Sequence, residues 1–302
     1  MKEIDFLLTG GSGFLGKIIR KALSQNYTIC TLGRSSEAEI NCNLSNEVPR
    51  LETLSIKAVI HAAGKAHVIP KNKQEVEEFE LVNFNGTVNL TRGLIVMNQL
   101  PSSLIFISTV AVYGVEEGFN IDEKHPLKGE TPYARSKIKA EEFLIHWCNE
   151  NKIRLTILRL PLVVGENPPG NLGSILRWMR RGLYIGIGNG NARRSMVLAE
   201  DVGNFIPSVS KIGGLYNLTD GYNPSIKEIE HAIASELNLS KPLRLPEGVI
   251  NVAARIGDVI GSWVPLNSVR LRKLTSSLIF SDSKAREIGW NPRPVIHNLH
   301  FK

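Results

Sequence analysis

Thr9-Gly10-Gly11-Ser12-Gly13-Phe14-Leu15-Gly16 is a glycine-rich segment with three glycines at regular spacing, Gly10, Gly13 and Gly16. It follows an apolar run at residues 4–9, which predicts a strand, and it leads into residues 14–24, whose apolar side chains recur at helical spacing. Glycines permit a tight turn and let the backbone approach a pyrophosphate, while the helix N-terminus supplies unpaired N–H groups. We therefore predict a dinucleotide-binding turn, with cofactor contacts at Gly10, Ser12, Gly13, Phe14 and Gly16.

Strand-like and helix-like stretches alternate over the first 160 residues. Strands are predicted at residues 4–9, 27–32, 58–61, 104–108 and 155–158, and helices at 14–24, 75–98 and 133–149. Such alternation is typical of an α/β fold with helices on both faces of a parallel sheet. The sequence thus predicts a Rossmann-type doubly wound sheet over residues 1–160. A return near 195–220 would add a strand at 214–218, and residues 161–194 and 221–302 would form a smaller C-terminal α/β lobe.

The composition limits the class of protein. The 302 residues are 42% hydrophobic and 22% charged, which is typical of a globular chain and excludes a disordered one. Cys30, Cys42 and Cys148 are too few and too scattered for a disulfide framework, and without a C-x-x-C pair no metal site is expected. No apolar run approaches about 18 residues, and no signal peptide is recognisable, so we expect a cytoplasmic protein without a membrane partner.

The formal net charge of +7 would fit either a nucleic acid or a small anionic ligand. Its most basic segment, residues 171–194, holds five arginines and no acid. A solvated helix face would explain three of these arginines equally well. One local basic segment suits a small anionic ligand better than a duplex, so no nucleic-acid partner is predicted.

The choice of cofactor depends on the residues after the second predicted strand. A carboxylate there would hold the ribose hydroxyls of NAD, whereas a basic group accommodates the extra phosphate of NADP. The chain has Gly33-Arg34-Ser35-Ser36 and no acid before Glu37. Arg34 therefore favours NADP, with NAD as the alternative. Asn43 and Leu44 are expected to pack near the adenine.

Tyr133 and Lys137 are four residues apart, so a helix places them on one face. A nearby ammonium lowers the pKa of a phenol from about 10, which would let Tyr133 exchange a proton near neutral pH. A hydroxyl at the end of the fourth predicted strand would share the substrate oxygen. This pattern alone is common on surface helices. Here the glycine turn, the strand-end hydroxyl and the pair Tyr133 and Lys137 follow one another along the chain, and this combination indicates hydride transfer between a nicotinamide and a carbinol carbon.

Taken together, these motifs resemble the extended short-chain dehydrogenase/reductase family of nucleotide-sugar epimerases, reductases and dehydratases. The resemblance covers almost the whole chain and rests on residues 9–16, 61–63, 83–87, 108–114, 133–137, 159–165, 193–195, 201 and 282–292. It implies that Thr109, Tyr133 and Lys137 are catalytic and that Lys137 also holds the nicotinamide ribose.

The same resemblance implies further ligand contacts. The cofactor would also touch Ala62, Ala63 and Asn83. The C-terminal lobe would bind a nucleotide sugar through Asn171, Leu172 and Arg194, the last on the diphosphate, while Thr109 would contact the reacting group. For Asn83 the alternative is a helix-packing amide, and for Arg194 it is a surface strand residue. The family also implies a homodimer formed through the helices at 75–98 and 133–149.

Two departures from the family narrow the reaction. Val110-Ala111 replaces the Asp-Glu pair of dehydratases, and Leu162 replaces an Asn of galactose epimerases. Residues 61–69, 182–195 and 274–292 are similar to a subgroup from bacterial O-antigen and surface-polysaccharide pathways. That similarity implies a 4-keto reductase acting on a UDP-6-deoxy-N-acetylhexosamine. The alternatives are a UDP-hexose 4-epimerase with tightly bound NAD and a non-catalytic relative that senses dinucleotides or binds RNA.

Overall fold

A seven-stranded parallel sheet lies at the centre of the molecule, for which a computed structural model describes residues 3–246, 248 and 275–301. The strands are β1 (Glu3–Thr9), β2 (Ile29–Gly33), β3 (Ile40–Asn41), β4 (Ser55–His61), β5 (Ser103–Thr109), β6 (Gly118–Ile121), β7 (Arg154–Leu160), β8 (Leu162–Val164), β9 (Gly186–Ile187), β10 (Met196–Leu198), β11 (Gly214–Asn217), β12 (Arg244–Leu245) and β13 (Leu278–Phe280). The large sheet has the order β11-β7-β5-β4-β1-β2-β3, and its neighbours all pair in parallel. This order reverses direction at β1, which confirms the predicted doubly wound Rossmann fold.

Helices cover both faces of this sheet. They are α1 (Phe14–Leu23), α2 (Lys73–Phe79), α3 (Gly86–Ile95), α4 (Pro132–Glu150), α5 (Gly170–Arg180), α6 (Ala199–Val209), α7 (Ile226–Glu236) and α8 (Ser283–Arg286). Because side chains alternate along a strand, Leu8 of β1 packs with α1 and α6, whereas Leu7 packs with α3 and α4. Among the residues that the structure describes, no helix is long and apolar enough to cross a membrane.

The helix predicted at residues 75–98 is divided in the structure. Between α2 and α3 the chain forms a π-helical segment, Glu80–Asn85. Asn83 within this segment is buried and bonds to Ser136 of α4, a polar contact that apolar periodicity does not report. π-Turns of this kind are frequent at functional sites.

The chain beyond β7 builds a further apolar cluster away from the large sheet. Leu172 and Leu176 of α5 pack there with Met196 of β10 and Ile233 of α7. β10 pairs with β8, whereas β11 joins the large sheet beside β7, as predicted for residues 214–218. The division into a cofactor domain and a substrate lobe stays a prediction, and its portion at residues 249–274 lies outside the described residues.

Candidate active site

The glycine-rich turn joins β1 to α1. Gly10 has a φ of 71°, and a Cβ there would lie 2.6 Å from the backbone nitrogen of Ala63. A Cβ at Gly16 would lie 2.0 Å from the carbonyl oxygen of Gly10. Gly13 is the N-cap of α1 and has no side chain to cap the first N–H groups. The turn therefore has the close backbone packing and the open helix N-terminus that a diphosphate requires.

A cavity of about 230 Å³ lies at the carboxyl ends of β1, β4, β5 and β7. Ligands of open α/β sheets bind at this edge. The predicted site residues that line it are Gly10, Gly13, Phe14, Gly16, Ala62, Thr109, Tyr133 and Lys137. The structure thus brings the glycine turn and the three predicted catalytic residues to one cavity.

Two loops add lining residues that the sequence reasoning missed. The loop after β4 contributes Gly64, Lys65, Ala66 and His67. The last residue of β7 and the chain that follows it contribute Leu160, Pro161, Val163 and Pro169. His67 has a φ of 60°, an uncommon backbone conformation for a residue other than glycine. These lining residues could have been predicted from their position in the sequence, because loops that follow the carboxyl ends of parallel strands form this edge of the sheet.

Thr109, Tyr133 and Lys137 reach the cavity from two elements. Thr109 ends β5, and its hydroxyl accepts a hydrogen bond of 3.2 Å from the backbone N–H of Ala111. Tyr133 lies in the first turn of α4, which begins after the N-cap residue Thr131, and its hydroxyl is hydrogen-bonded to Thr109. One turn further, the ammonium of Lys137 donates to the carbonyl oxygen of Ile107 at 2.8 Å. The ammonium also lies 4.4 Å from the centroid of the Phe106 ring.

Burial governs the proton affinities of these groups. It raises the pKa of Tyr133 to about 12, although the hydrogen bond from Thr109 opposes the shift. It lowers the pKa of Lys137 to about 8, against the attraction of the Glu141 carboxylate. The shift of the Tyr133 pKa comes from desolvation, which the hydrogen bond with Thr109 opposes, so the expected lowering of this pKa by Lys137 stays a prediction. Tyr133 is therefore protonated at neutral pH in this structure.

Asn83 and Ala63 lie behind the cavity lining. The Asn83 amide accepts from the backbone N–H of Lys65 at 2.7 Å and donates to the Lys65 carbonyl at 3.1 Å and to the Ser136 hydroxyl at 2.9 Å. The N–H of Ala63 donates to the Thr9 hydroxyl at 3.1 Å. Asn83 therefore links the loop after β4 to α4. A cofactor contact at Asn83 stays a prediction.

The remaining predicted cofactor residues do not line this cavity. Ser12 borders a separate groove with basic residues of α1, and Arg34 is exposed after β2. The Asn43 side chain accepts from the Ser45 hydroxyl at 2.9 Å. Leu44 is buried in the core beneath α3, so any contact that it makes with an adenine must come from its backbone. Their cofactor contacts stay predictions.

The predicted substrate residues of the C-terminal lobe also lie outside the cavity lining. Asn171 is exposed in the first turn of α5, whereas Leu172 is buried in the apolar cluster of that lobe. Arg194 donates from its guanidinium to the carbonyl oxygens of Arg193, at 3.0 Å, and Ser276. Burial lowers the pKa of Arg194. A diphosphate contact at Arg194 stays a prediction.

Comparison with known proteins identifies the family. The sequence model of the NAD dependent epimerase/dehydratase family matches residues 6–211. The chain is 25% identical to the N-acetyl-alpha-D-glucosaminyl-diphospho-ditrans,octacis-undecaprenol 4-epimerase of Escherichia coli O157:H7 over 305 residues, covering 95% of this chain and 90% of the relative.

Two solved structures show the same fold. One is a UDP-N-acetylglucosamine 4-epimerase from Methanobrevibacter ruminantium in complex with UDP-N-acetylmuramic acid, with a TM-score of 0.74, 20% identity and coverage of 97% and 94% of the two chains. The other is RMD from Pseudomonas aeruginosa complexed with NADPH, with a TM-score of 0.71, 21% identity and coverage of 98% and 94%. The family match, the Rossmann sheet and the glycine turn agree. The chain therefore belongs to the NAD dependent epimerase/dehydratase family and is an NAD-dependent enzyme of the nucleotide-sugar epimerase/dehydratase type.

Proposed function

We propose that this enzyme transfers hydride at C4 of a UDP-hexose derivative, in the direction that reduces a 4-keto-6-deoxy-N-acetylhexosamine. The observation that carries the proposal is the meeting of Thr109, Tyr133 and Lys137 in one cavity beside the glycine turn, where burial raises the pKa of the Tyr133 phenol. A phenol that holds its proton at neutral pH is suited to give that proton to a carbonyl oxygen as the carbonyl is reduced.

The nicotinamide, when bound, supplies the hydride. Thr109 and Tyr133 then hydrogen-bond the C4 carbonyl oxygen, which orients the ketone and stabilises the charge that develops on this oxygen. The proton of the Tyr133 hydroxyl passes to the oxygen and completes the alcohol, leaving a phenolate. Lys137, one helical turn away, stabilises that phenolate with its positive charge.

The glycine turn fits a dinucleotide, and Arg34 supports NADP as the cofactor. Glu39, a carboxylate in the same loop, accepts the N–H of Thr31 at 2.8 Å and pairs with Arg20 at 3.3 Å. These contacts engage the Glu39 carboxylate, whereas Arg34 is exposed directly after β2. Arg34→Ala is expected to weaken NADPH at least about tenfold more than NADH. Fluorescence titration with both nucleotides measures this, and an equal loss for the two would contradict the assignment to NADP.

A 4-epimerase is the second candidate, favoured by the printed names of the relatives from Escherichia coli and Methanobrevibacter ruminantium. An epimerase uses the same groups, but hydride returns to the opposite face of the sugar and the cofactor stays bound. Leu162, where galactose epimerases carry Asn, supports the reductase instead. A role in sensing or RNA binding is disfavoured because Thr109, Tyr133 and Lys137 meet in one cavity.

The test uses the purified full-length protein. Its retained nucleotide is released by denaturation and identified, and fresh protein is then mixed with NADPH or NADH and UDP-4-keto-6-deoxy-N-acetylglucosamine. A reductase retains little nucleotide and consumes one reduced nicotinamide per sugar. Tightly retained NAD with no net oxidation, together with interconversion of UDP-hexoses, would assign the epimerase.

We also infer that the enzyme works in the cytoplasm, in the biosynthesis of a surface polysaccharide. The chain has three cysteines, Cys30, Cys42 and Cys148, which are too few and too scattered for a disulfide framework, as expected of a protein in a reducing compartment. The substrate proposed above and the similarity of residues 61–69 to the surface-polysaccharide subgroup support the pathway.

A further inference from the structure

A buried ion pair lies beneath the cavity, between α4 and β7. The Glu141 carboxylate is fully buried, and Arg159 is 2% exposed. The guanidinium donates from Nε at 3.2 Å to each carboxylate oxygen and from its terminal nitrogen at 2.6 Å. The Ser108 hydroxyl also donates to Glu141. The carboxylate is thus held from two strands of the sheet.

The remaining polar atoms around the pair are also hydrogen-bonded. Arg159 donates to the Tyr113 hydroxyl at 3.1 Å, and this hydroxyl donates to the Asn217 amide oxygen at 2.7 Å. The Asn217 amide nitrogen donates to the Ile121 carbonyl at 3.2 Å. Burying a salt bridge costs desolvation energy that its attraction only partly offsets, and apolar replacements are often as stable. A fully bonded pair at this depth therefore points to a use other than stability.

The ion pair is linked to two of the catalytic residues, to Thr109 through Ser108 and to Lys137 through its charge. Ser108, bonded to Glu141, directly precedes Thr109 at the end of β5. Glu141 also follows Lys137 by four residues on α4, and its charge acts on the Lys137 ammonium. The Glu141 carboxylate is therefore linked both to the strand end that carries the Thr109 hydroxyl and to the charge of Lys137.

Several other titratable groups surround Lys137. On α4 these include Tyr133, which is protonated, and on β4 they include His61, whose pKa burial lowers to about 3, so it is neutral. Arg159 on β7 is positively charged and is paired with Glu141. Among the described residues, Glu141 is thus the negative charge that favours the protonated lysine.

We propose that Glu141 is a positioning residue of the active site: fixed by Arg159, it holds the end of β5 through Ser108 and keeps Lys137 protonated from one helical turn away. The inference rests on the proposed function in one respect, namely that Thr109 and Lys137 act in turnover. Glu141 itself touches neither substrate nor cofactor.

The test is Glu141→Gln, which keeps the side-chain shape and removes the charge. We expect kcat to fall at least about tenfold while KM changes less than about twofold, because ground-state contacts are kept. Removing a negative charge lowers the pKa of a neighbouring lysine, so the alkaline limb of the kcat profile should move to lower pH by about one unit. Glu142→Gln is the matched control, because Glu142 is the next residue of α4 and is exposed. It should leave both quantities unchanged.

A merely structural role predicts a different result. In that case Glu141→Gln would lower the melting temperature but leave the alkaline limb where it is, and this outcome would overturn the proposal. Glu141→Asp keeps the charge and should restore the limb even if kcat stays low. If Glu141→Gln does not fold, Ser108→Ala cuts the link to β5 and keeps the ion pair. An unchanged kcat in Ser108→Ala would then refute the positioning role.

The pH dependence of NADPH binding separates this inference from the proposed substrate. Lys137 is expected to bind the nicotinamide ribose, so its loss of charge weakens NADPH without any sugar present. Fluorescence titrations of the wild type and Glu141→Gln should show the same shift to lower pH as the kcat profile. A shift in binding with no turnover of the 4-keto sugar would reject the proposed substrate and keep the role of Glu141. Turnover of the 4-keto sugar without a shift in NADPH binding would support the proposed substrate and reject the role of Glu141.

Discussion

The pKa values of the single residues Tyr133 and Lys137 depend more on their burial than on neighbouring charges. The sequence predicts the pairing of Tyr133 with Lys137 and their approach to Thr109, because helical spacing and motif order are visible in it. It did not predict that the phenol would keep its proton, since desolvation depends on what surrounds α4. The pKa of Tyr133 at about 12 and that of Lys137 at about 8 both follow from that burial.

Tyr133→Phe removes the proposed proton donor and little else. We expect turnover to fall at least about 100-fold, because the carbonyl oxygen loses its acid. NADPH affinity should stay within about threefold, because the ring and the glycine turn are kept. Steady-state kinetics and fluorescence titration measure the two effects. Substantial activity in this variant would assign the acid to another group.

Lys137→Met tests the buried ammonium through protein stability. The folded-state pKa of about 8 lies below the ordinary value of 10.5. The unfolded chain therefore binds more protons between those pH values, and the contribution of Lys137 to stability rises with pH in this window. Urea denaturation should show the wild type gaining stability relative to Lys137→Met between pH 8 and 10. A constant difference between the two proteins would show that Lys137 is not desolvated as described.

At the scale of elements, the glycine turn fixes where the cavity lies. The turn itself was predictable from sequence, because the packing of the backbone at Gly10 and Gly16 leaves no room for a Cβ. The π-helical segment around Asn83 was not predictable in this way, because the polar contact between Asn83 and Ser136 leaves no mark in the spacing of apolar residues. The lining residues in the loop after β4 were also missed, because their role depends on which strands end beside that loop in the folded sheet.

Gly10→Ala is expected to damage both the fold and the cofactor site. The added Cβ would lie 2.6 Å from the backbone of Ala63, at a φ of 71°. A strained conformation of this kind costs about 1–3 kcal/mol, which urea denaturation would register. NADPH affinity should fall at least about tenfold, because the backbone can no longer approach the diphosphate.

Gly33→Ala is the matched control, since a Cβ at Gly33 at the end of β2 meets nothing within 4 Å. It should change stability and NADPH affinity little. Equal losses in Gly10→Ala and Gly33→Ala would contradict the account of the turn.

At the scale of the whole molecule, the topology followed from the alternation of strands and helices, including the return of β11 to the sheet. The substrate contacts of Asn171 and Arg194 stay predictions, because neither residue lines the cavity. The predicted homodimer also concerns this scale. Leu81 in the π-helical segment and Ile145 on α4 are 44% and 51% exposed, which is consistent with a second buried face on these helices.

The double variant Leu81→Asp/Ile145→Asp should convert a dimer of 33.4 kDa chains into monomers, because buried charges oppose association. Ile212→Asp is its control, since Ile212 is 48% exposed in the turn between α6 and β11. Sedimentation velocity measures all three proteins. A wild type that sediments as a monomer, or a double variant that stays dimeric, would refute the predicted interface.

The central claim is that hydride moves between a nicotinamide and C4 of the sugar. NADPH carrying deuterium at the transferred position, incubated with UDP-4-keto-6-deoxy-N-acetylglucosamine and analysed by NMR, tests it most directly. We expect one deuterium at C4 of the product for each NADPH oxidised, and in Tyr133→Phe a rate of labelling at least about 100-fold lower. Deuterium at another carbon, or oxidation of NADPH without label in the sugar, would contradict it.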